Sequence, residues 1–297
     1  MARGVAHTTR QITLPAPYDV DRLFAFLASR AIPAVETVDR SSEGWRYGRS
    51  LRLPGGPGRG EITTVGESVQ ITVHTLEDRD IPDALDALQR VLDLDNAPAL
   101  VDEELGRLPA THALVAARPG LRVPRAADRA EVTFRALIGQ QVSVAAASTT
   151  CGFIAAEYGE SLPAPLQTTQ LSRLWPSPIV LAALDPATLP MPRAKAIAVT
   201  TLAAALRDNA VDLTAPAPDV REQLIALKGI GPWTAGYVSM RACGDNDVLL
   251  DGDLIARRGA GLIGLPTESR ELRVAGEQFA PWRSYLTMHL WQAYAAA

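Results

Sequence analysis

The chain has 297 residues, 47% of them hydrophobic and 21% charged, with a net charge of −4. That composition matches an ordinary soluble globular protein of about two domains and excludes a low-complexity or collagen-like chain. A mildly acidic chain also argues against a protein that coats nucleic acid through bulk positive charge, although a small basic face and backbone amides can still hold phosphate.

The N-terminal "MARGVAHTTR" has no apolar segment behind its basic residues, so no export signal is predicted, and no apolar run is long enough to cross a bilayer. The predicted setting is cytoplasmic. In that reducing setting Cys151 and Cys243, the two cysteines, are expected as free thiols.

The first hundred residues mix strands and helices. "RQITLP", "YGRSLRLP" and "GRGEITTVGESVQITVHTL" alternate as strands, the last as a hairpin, and "LPGGPGRG" reads as a turn cluster. "YDVDRLFAFLASRAI" has helical spacing with Asp19 or Asp21 near its start, and "IPDALDALQRVLDL" has it with a Pro start. After about Ala97 the strand signals fade. "ALVDEELGRL" and "THALVAA" read as helices, and further helices are predicted at about 129–158, 167–174, 177–183, 186–188, 192–208, 218–227, 232–243 and 270–296. The predicted class is α+β: a small mixed α/β N-terminal domain over 8–101, followed by an all-α body. The body divides into a helical domain over 127–244 and a second lobe made of 102–126 and 245–297.

The stretch from Arg221 to Gly259 carries the most chemistry. Leu224, Ile225 and Leu227 give a short helix an apolar face, "KGIG" turns, and Pro232 suits the first turn of the next helix. Gly229 and Gly231 allow positive φ and close approach. In such a helix–hairpin–helix the backbone N–H groups around Gly229, Ile230 and Gly231 and at Thr234 can face a phosphate, a contact that positions DNA without reading its sequence. A tight turn between two core helices is the alternative. Asp253 follows in "LLDGDLIARR", where it suits an N-cap; capping and catalysis are compatible, since a carboxylate at a helix start stays ionised. Asp251 reads as a turn or cap residue. His7, His74, His112 and His289 form no ligand pattern.

"FRALIGQQVSVAAA", "ARPGLRVP", "LKGIGPWTAGYVSMRA…LLDGDLIARR" and "PWRSYLTMHLW", with "PYDVDRLFAFLASRAIPAVETV" near the start, resemble the helix–hairpin–helix DNA glycosylase superfamily, and within it the DNA-3-methyladenine glycosylase II (AlkA-like) branch. The resemblance spans nearly the whole chain. It implies excision of alkylated purines from damaged double-stranded DNA by base flipping, since the scissile bond is out of reach in a stacked duplex. It implies Asp253 as the catalytic carboxylate, stabilising positive charge on the sugar as the base leaves. It also implies a base pocket of Trp233, Tyr237, Trp291 and Phe26. Bifunctional relatives carry a lysine where this chain has Trp233, so no Schiff base forms there and no lyase step is predicted. Lys228 lies on the other side of the glycine pair.

The same resemblance places Gln140 and Gln141 in a turn that enters the minor groove, with Gln141 at a position where some relatives carry Leu. Wedges are usually apolar, so this is a departure. Leu254 departs as well, standing where some relatives carry an aromatic residue. No cofactor is implied beyond a structural monovalent cation on the backbone carbonyls of Ile225, Leu227 and Ile230. A monomer is expected.

Seven of the sixteen aromatic residues lie in the last 65 positions. Aromatic faces attract an electron-poor cationic base by about 0.5–2 kcal/mol each. Few polar groups are visible near this pocket in sequence, which also favours cationic lesions. Phe279, Trp282 and Tyr285 read as core. The competing functions are a non-catalytic helix–hairpin–helix DNA-binding protein and a glycosylase for deaminated or oxidised bases.

Overall fold

The computed structural model describes residues 5–296. A five-stranded antiparallel sheet occupies the N-terminal part: β1 (Ala6–Thr13), β2 (Glu36–Ser41), β3 (Gly44–Leu53), β4 (Gly56–Val65) and β5 (Ser68–Thr75), in the order β1-β5-β4-β3-β2. Alternation sets the faces. Val69, Ile71, Val73 and Thr75 of β5 are buried, while Gln70 between them is exposed. The predicted turn cluster shrinks, because Gly56–Gly60 already pairs with Arg49–Leu53 as the first half of β4. The edge strand β2 has no counterpart among the predicted strands; its sequence ETVDRS is mostly polar, and only residues 39–41 are exposed, while Glu36 is buried.

Helix α1 (Val20–Ala28) is capped by Asp19, whose Oδ1 accepts the Arg22 N–H at 3.1 Å. It buries Phe24 against the sheet and turns Phe26 toward the helical body. Helix α2 (Ile81–Val91) covers the same sheet core with Leu85 and Leu88.

The helices of the body follow: α3 (Pro98–Gly106), α4 (Pro109–Ala117), α5 (Arg129–Ile138), α6 (Val144–Tyr158), α7 (Pro178–Ala182), α8 (Arg193–Arg207), α9 (Ala217–Ile225), α10 (Pro232–Arg241), α11 (Leu254–Leu262), α12 (Ser269–Ala275) and α13 (Arg283–Ala296). Two long predicted helices are divided. The segment 129–158 breaks at Gly139–Ser143, where Gln141 takes φ +59° and Ser143 caps α6 by accepting the Ala146 N–H at 3.2 Å. The segment 270–296 is interrupted by a 3-10 turn at Gly276–Phe279.

The predicted helix at 167–174 is absent. Leu171 and Leu174 have helical spacing, yet Thr168 Oγ1 accepts the backbone N–H groups of Gln170 and Leu171, and Leu171 bridges to Ala34. Local hydroxyl-to-backbone bonds of this kind compete with a helix. Both leucines are buried beside Leu162 instead.

Sheet and helical body are joined by buried charge. Arg49 of β3 reaches Glu131 of α5 at 2.6 Å and Glu36 of β2 at 3.4 Å. Arg135 of α5 closes the cluster on Glu36 at 2.7 Å and Glu131 at 2.9 Å. Glu36 also accepts the Tyr47 hydroxyl proton at 2.7 Å. Burial works against the Glu36 carboxylate, but Arg135, Arg49 and Tyr47 hold it down at about 2.

Candidate active site

α9 and α10 pack against each other across the Gly229–Gly231 turn. The two glycines differ. Gly229 sits at φ +95°, and a Cβ there would meet the Ala198 Cβ at 2.8 Å. Gly231 is extended at φ −99° and faces open space, so its small size leaves room for an approaching group rather than permitting the turn. The N–H groups of Gly229 and Gly231 have no partner among the described residues. The Ile230 N–H is spent on Leu227 O at 3.1 Å, so it is not a phosphate donor.

Thr234 and Gln140 take internal roles. Thr234 is buried, and its hydroxyl accepts the Gln140 side-chain amide at 2.7 Å. The same amide donates to Gly229 O at 3.1 Å, so Gln140 ties the 139–143 turn to the hairpin. Lys195 holds the turn from the other side, donating to Ile138 O at 3.0 Å and Gln140 O at 2.6 Å. Gln141 remains exposed at the tip, with the exposed apolar Val142 beside it. Ile225 also points outward, 50% exposed, rather than into the predicted apolar face of α9. The Ile225 and Ile230 carbonyls are unpaired among the described residues, while Leu227 O has taken one donor.

Asp253 is the N-cap of α11. Its Oδ1 accepts the Ala256 N–H at 2.8 Å and the Trp291 indole N–H at 3.1 Å; its Oδ2 accepts the Trp233 indole N–H at 2.8 Å. Three donors from three segments therefore fix one half-buried carboxylate in position. Asp251 is separate. It lies in the turn before α11, as the sequence suggested, and ties that turn to α12 through Arg273 at 2.7 Å and Ser269 at 2.8 Å.

Asp253 opens onto a cavity of about 510 Å³ walled by Phe26, Trp233, Tyr237 and Trp291. Trp233 and Tyr237, one helical turn apart, stack at 5.5 Å; Phe26 stacks on Trp291 at 6.4 Å. Leu254 is 55% exposed and contributes no wall; Ile255 does. Cys151 is also in the wall as a free buried thiol, pushed up to about 12 by burial. Phe279 and Tyr285 are core, and His289 is buried and neutral, pushed down to about 4 by burial, with its Nε2 unpartnered.

The cavity is more polar than the sequence suggested. Arg22, Arg30, Arg135 and Arg241 all line it. The Arg30 and Arg241 guanidinium carbons lie 3.7 and 4.8 Å from the Phe26 ring centre. Phe26 thus already holds cations, and the scarcity of polar groups is no argument for a cationic guest. The missing signal was spacing. Arg241 follows Tyr237 by one turn of α10, and Arg30 follows Phe26 by four residues, in the turn just past α1.

Both lysines of the chain stand apart: Lys228 is exposed on the hairpin, and Lys195 holds the turn. Neither lines the cavity.

A hairpin with free amides, an aromatic cavity and an aspartate at a helix start together define a helix–hairpin–helix glycosylase architecture. Comparison with known proteins agrees. The AlkA N-terminal domain family matches residues 9–128. The Escherichia coli DNA-3-methyladenine glycosylase 2 is 36% identical over 286 residues, covering 93% of this chain and 94% of that protein. A Mycobacterium tuberculosis protein named probable bifunctional transcriptional activator/DNA repair enzyme AlkA is 39% identical over 287 residues, 95% of this chain. The chain spans 57% of that longer relative. The fold also matches a 3-methyladenine DNA glycosylase structure from Archaeoglobus fulgidus, with a TM-score of 0.81 at 20% identity and coverage of 96% and 98%. The chain belongs to the AlkA/DNA-3-methyladenine glycosylase 2 family.

Proposed function

We propose that this protein is a monofunctional base-excision repair glycosylase that flips alkylated purines of the 3-methyladenine class out of double-stranded DNA and hydrolyses their N-glycosidic bond. One observation carries the reading: the Asp253 carboxylate, held by two indole N–H groups and a helix N-terminus, borders an aromatic cavity large enough for a purine. An alkylated purine leaves as a neutral base, so the chain need supply only a slot and a counter-charge. Trp233, Tyr237 and Trp291 offer the stacking faces. Asp253 stabilises the oxocarbenium-like sugar, and water completes the substitution at C1′.

No lysine amine lines the cavity, which leaves no side-chain amine for a Schiff base and supports hydrolysis without strand cleavage.

The Gly229 and Gly231 amides and the first turn of α10 would receive a phosphate, with Gln141 and Val142 filling the gap left by the flipped base. Gln140, Thr234 and Ile230 hold that surface in place. The carbonyls of Ile225, Leu227 and Ile230 suit a monovalent cation that bridges the hairpin to phosphate. The protein would act as a monomer in the cytoplasm. Among the described residues no helix is long and apolar enough to cross a membrane.

The test is base release from methylated duplex DNA, with products identified by chromatography and strands checked before and after alkali. Release of methylpurines with breaks only after alkali is the expected result. Binding without release would favour a non-catalytic DNA-binding protein, and breaks before alkali would contradict the monofunctional assignment.

A further inference from the structure

Tyr237 has an arrangement that stacking alone does not require. The Arg241 Nη1 donates to its hydroxyl oxygen at 2.7 Å, and the Arg30 guanidinium also faces that phenol. A phenol has one proton to give and two lone pairs to fill. Here guanidinium groups serve the oxygen, and among the described residues no acceptor takes the proton. Tyr237, Arg30 and Arg241 all line the cavity.

We infer that the Tyr237 hydroxyl is a proton donor to the flipped base, required for neutral purine lesions and dispensable for cationic ones. This rests on the glycosylase reading. The charge bookkeeping separates the two classes. A cationic alkylpurine takes the N9–C1′ electron pair and departs neutral. A neutral purine taking the same pair would depart as an anion, and a proton moving from the Tyr237 oxygen to a ring nitrogen cancels that charge. The phenolate left behind stays paired with Arg241 and Arg30 and recovers its proton from solvent. Water adds to C1′ and loses a proton to solvent.

The surroundings suit this role. Burial pushes the phenol up, but Arg241 from α10, Arg30 from the turn after α1 and Arg135 from α5 more than offset it and hold Tyr237 below the ordinary tyrosine range. Asp253 on the cavity wall is the negative group in the same space, and it serves the sugar rather than the base.

The experiment compares single-turnover release of hypoxanthine and of 7-methylguanine from otherwise identical duplexes, by wild type and Tyr237→Phe. The variant keeps the ring that stacks on Trp233. Loss of a general acid costs about 10²–10⁴-fold. The expected result is a fall of at least about 10²-fold for hypoxanthine, more than about tenfold larger than any fall for 7-methylguanine.

The wild-type pH profile is the second readout and needs no folded variant. As pH rises from about 7 to 9.5, approaching the ordinary phenol value of about 10, hypoxanthine release should decline relative to 7-methylguanine release. Equal losses on both lesions, or parallel pH profiles, would overturn the inference while leaving the glycosylase reading standing. Release of 7-methylguanine without any hypoxanthine release by wild type would also overturn it. Wild-type failure on both lesions would instead count against the glycosylase reading itself.

Discussion

Replacing Asp253 with Asn separates its two roles. As an N-cap, Asn is about as good as Asp, so α11 should still start where it does. One amide oxygen can keep the Ala256 N–H and one indole; the other indole then meets an NH2 group, which removes one hydrogen bond at about 1 kcal/mol. The loss of charge matters more. A unit negative charge about 4 Å from a developing positive one is worth about 4 kcal/mol at an effective dielectric constant near 20. That corresponds to about 10³-fold in rate.

The assay is single-turnover release of an alkylated purine from one defined duplex at saturating enzyme, with DNA binding and thermal midpoint measured alongside. The expected variant binds DNA, unfolds within a few degrees of wild type and is slower by about three orders of magnitude. A folded, DNA-binding Asp253→Asn protein within tenfold of wild type would refute the electrostatic role.

Asp251→Asn, two residues away, should leave the rate of base release within a few-fold and lower stability by no more than about 1 kcal/mol, since Arg273 is mostly exposed. A loss matching that of the Asp253 variant would mean the carboxylates were misassigned. Gly229→Ala should destabilise by about 1–3 kcal/mol in a denaturant titration, because φ +95° and the Ala198 contact both oppose a side chain. Gly231→Ala should fold normally and instead weaken binding to undamaged duplex in a salt titration; unchanged affinity would remove the hairpin amides from the DNA interface.

Glu36 predicts an acid limb. Its folded value near 2 lies below its ordinary 4.5, so its stabilisation is complete above about 4.5 and is lost as pH falls from there through about 2. Glu131 is pushed up by burial and by Glu36, against its arginines, and contributes the opposite slope. Glu36→Gln should therefore lower stability at pH 7 and flatten this limb in acid unfolding; an unchanged limb would contradict the assignment.

Local chemistry made the hairpin and the catalytic candidate legible in sequence. Gly229 needs its left-handed turn, Pro232 opens α10, and Asp253 caps α11; each is decided within a few neighbouring residues. The aromatic walls were legible through family resemblance, because nothing local says that Phe26 of the first helix faces Trp291 of the last. What stayed hidden depends on partners far along the chain. The Gln140 amide is occupied by Gly229 and Thr234, some ninety positions away. Edge strand β2 is fixed by pairing with β3 rather than by its own polar sequence. The 167–174 segment misled because leucine spacing is the same whether a helix or a bridged loop buries the pair. Pocket polarity was misjudged because nothing local says that Arg22, Arg30, Arg135 and Arg241, from three separate segments, converge on one cavity.

The buried Glu36–Arg49–Glu131–Arg135 cluster bears on how the chain can be divided. A cut between the sheet and α5 would strand two charges in each fragment, and separating one partner of a buried pair typically costs about 3–5 kcal/mol. The cut would also open the base cavity, since Phe26 and Arg30 leave with the sheet while Arg135 stays behind. Shuffling N-terminal halves between homologues would therefore require exchanging α5 along with the sheet, and the natural module for recombination crosses the apparent domain boundary.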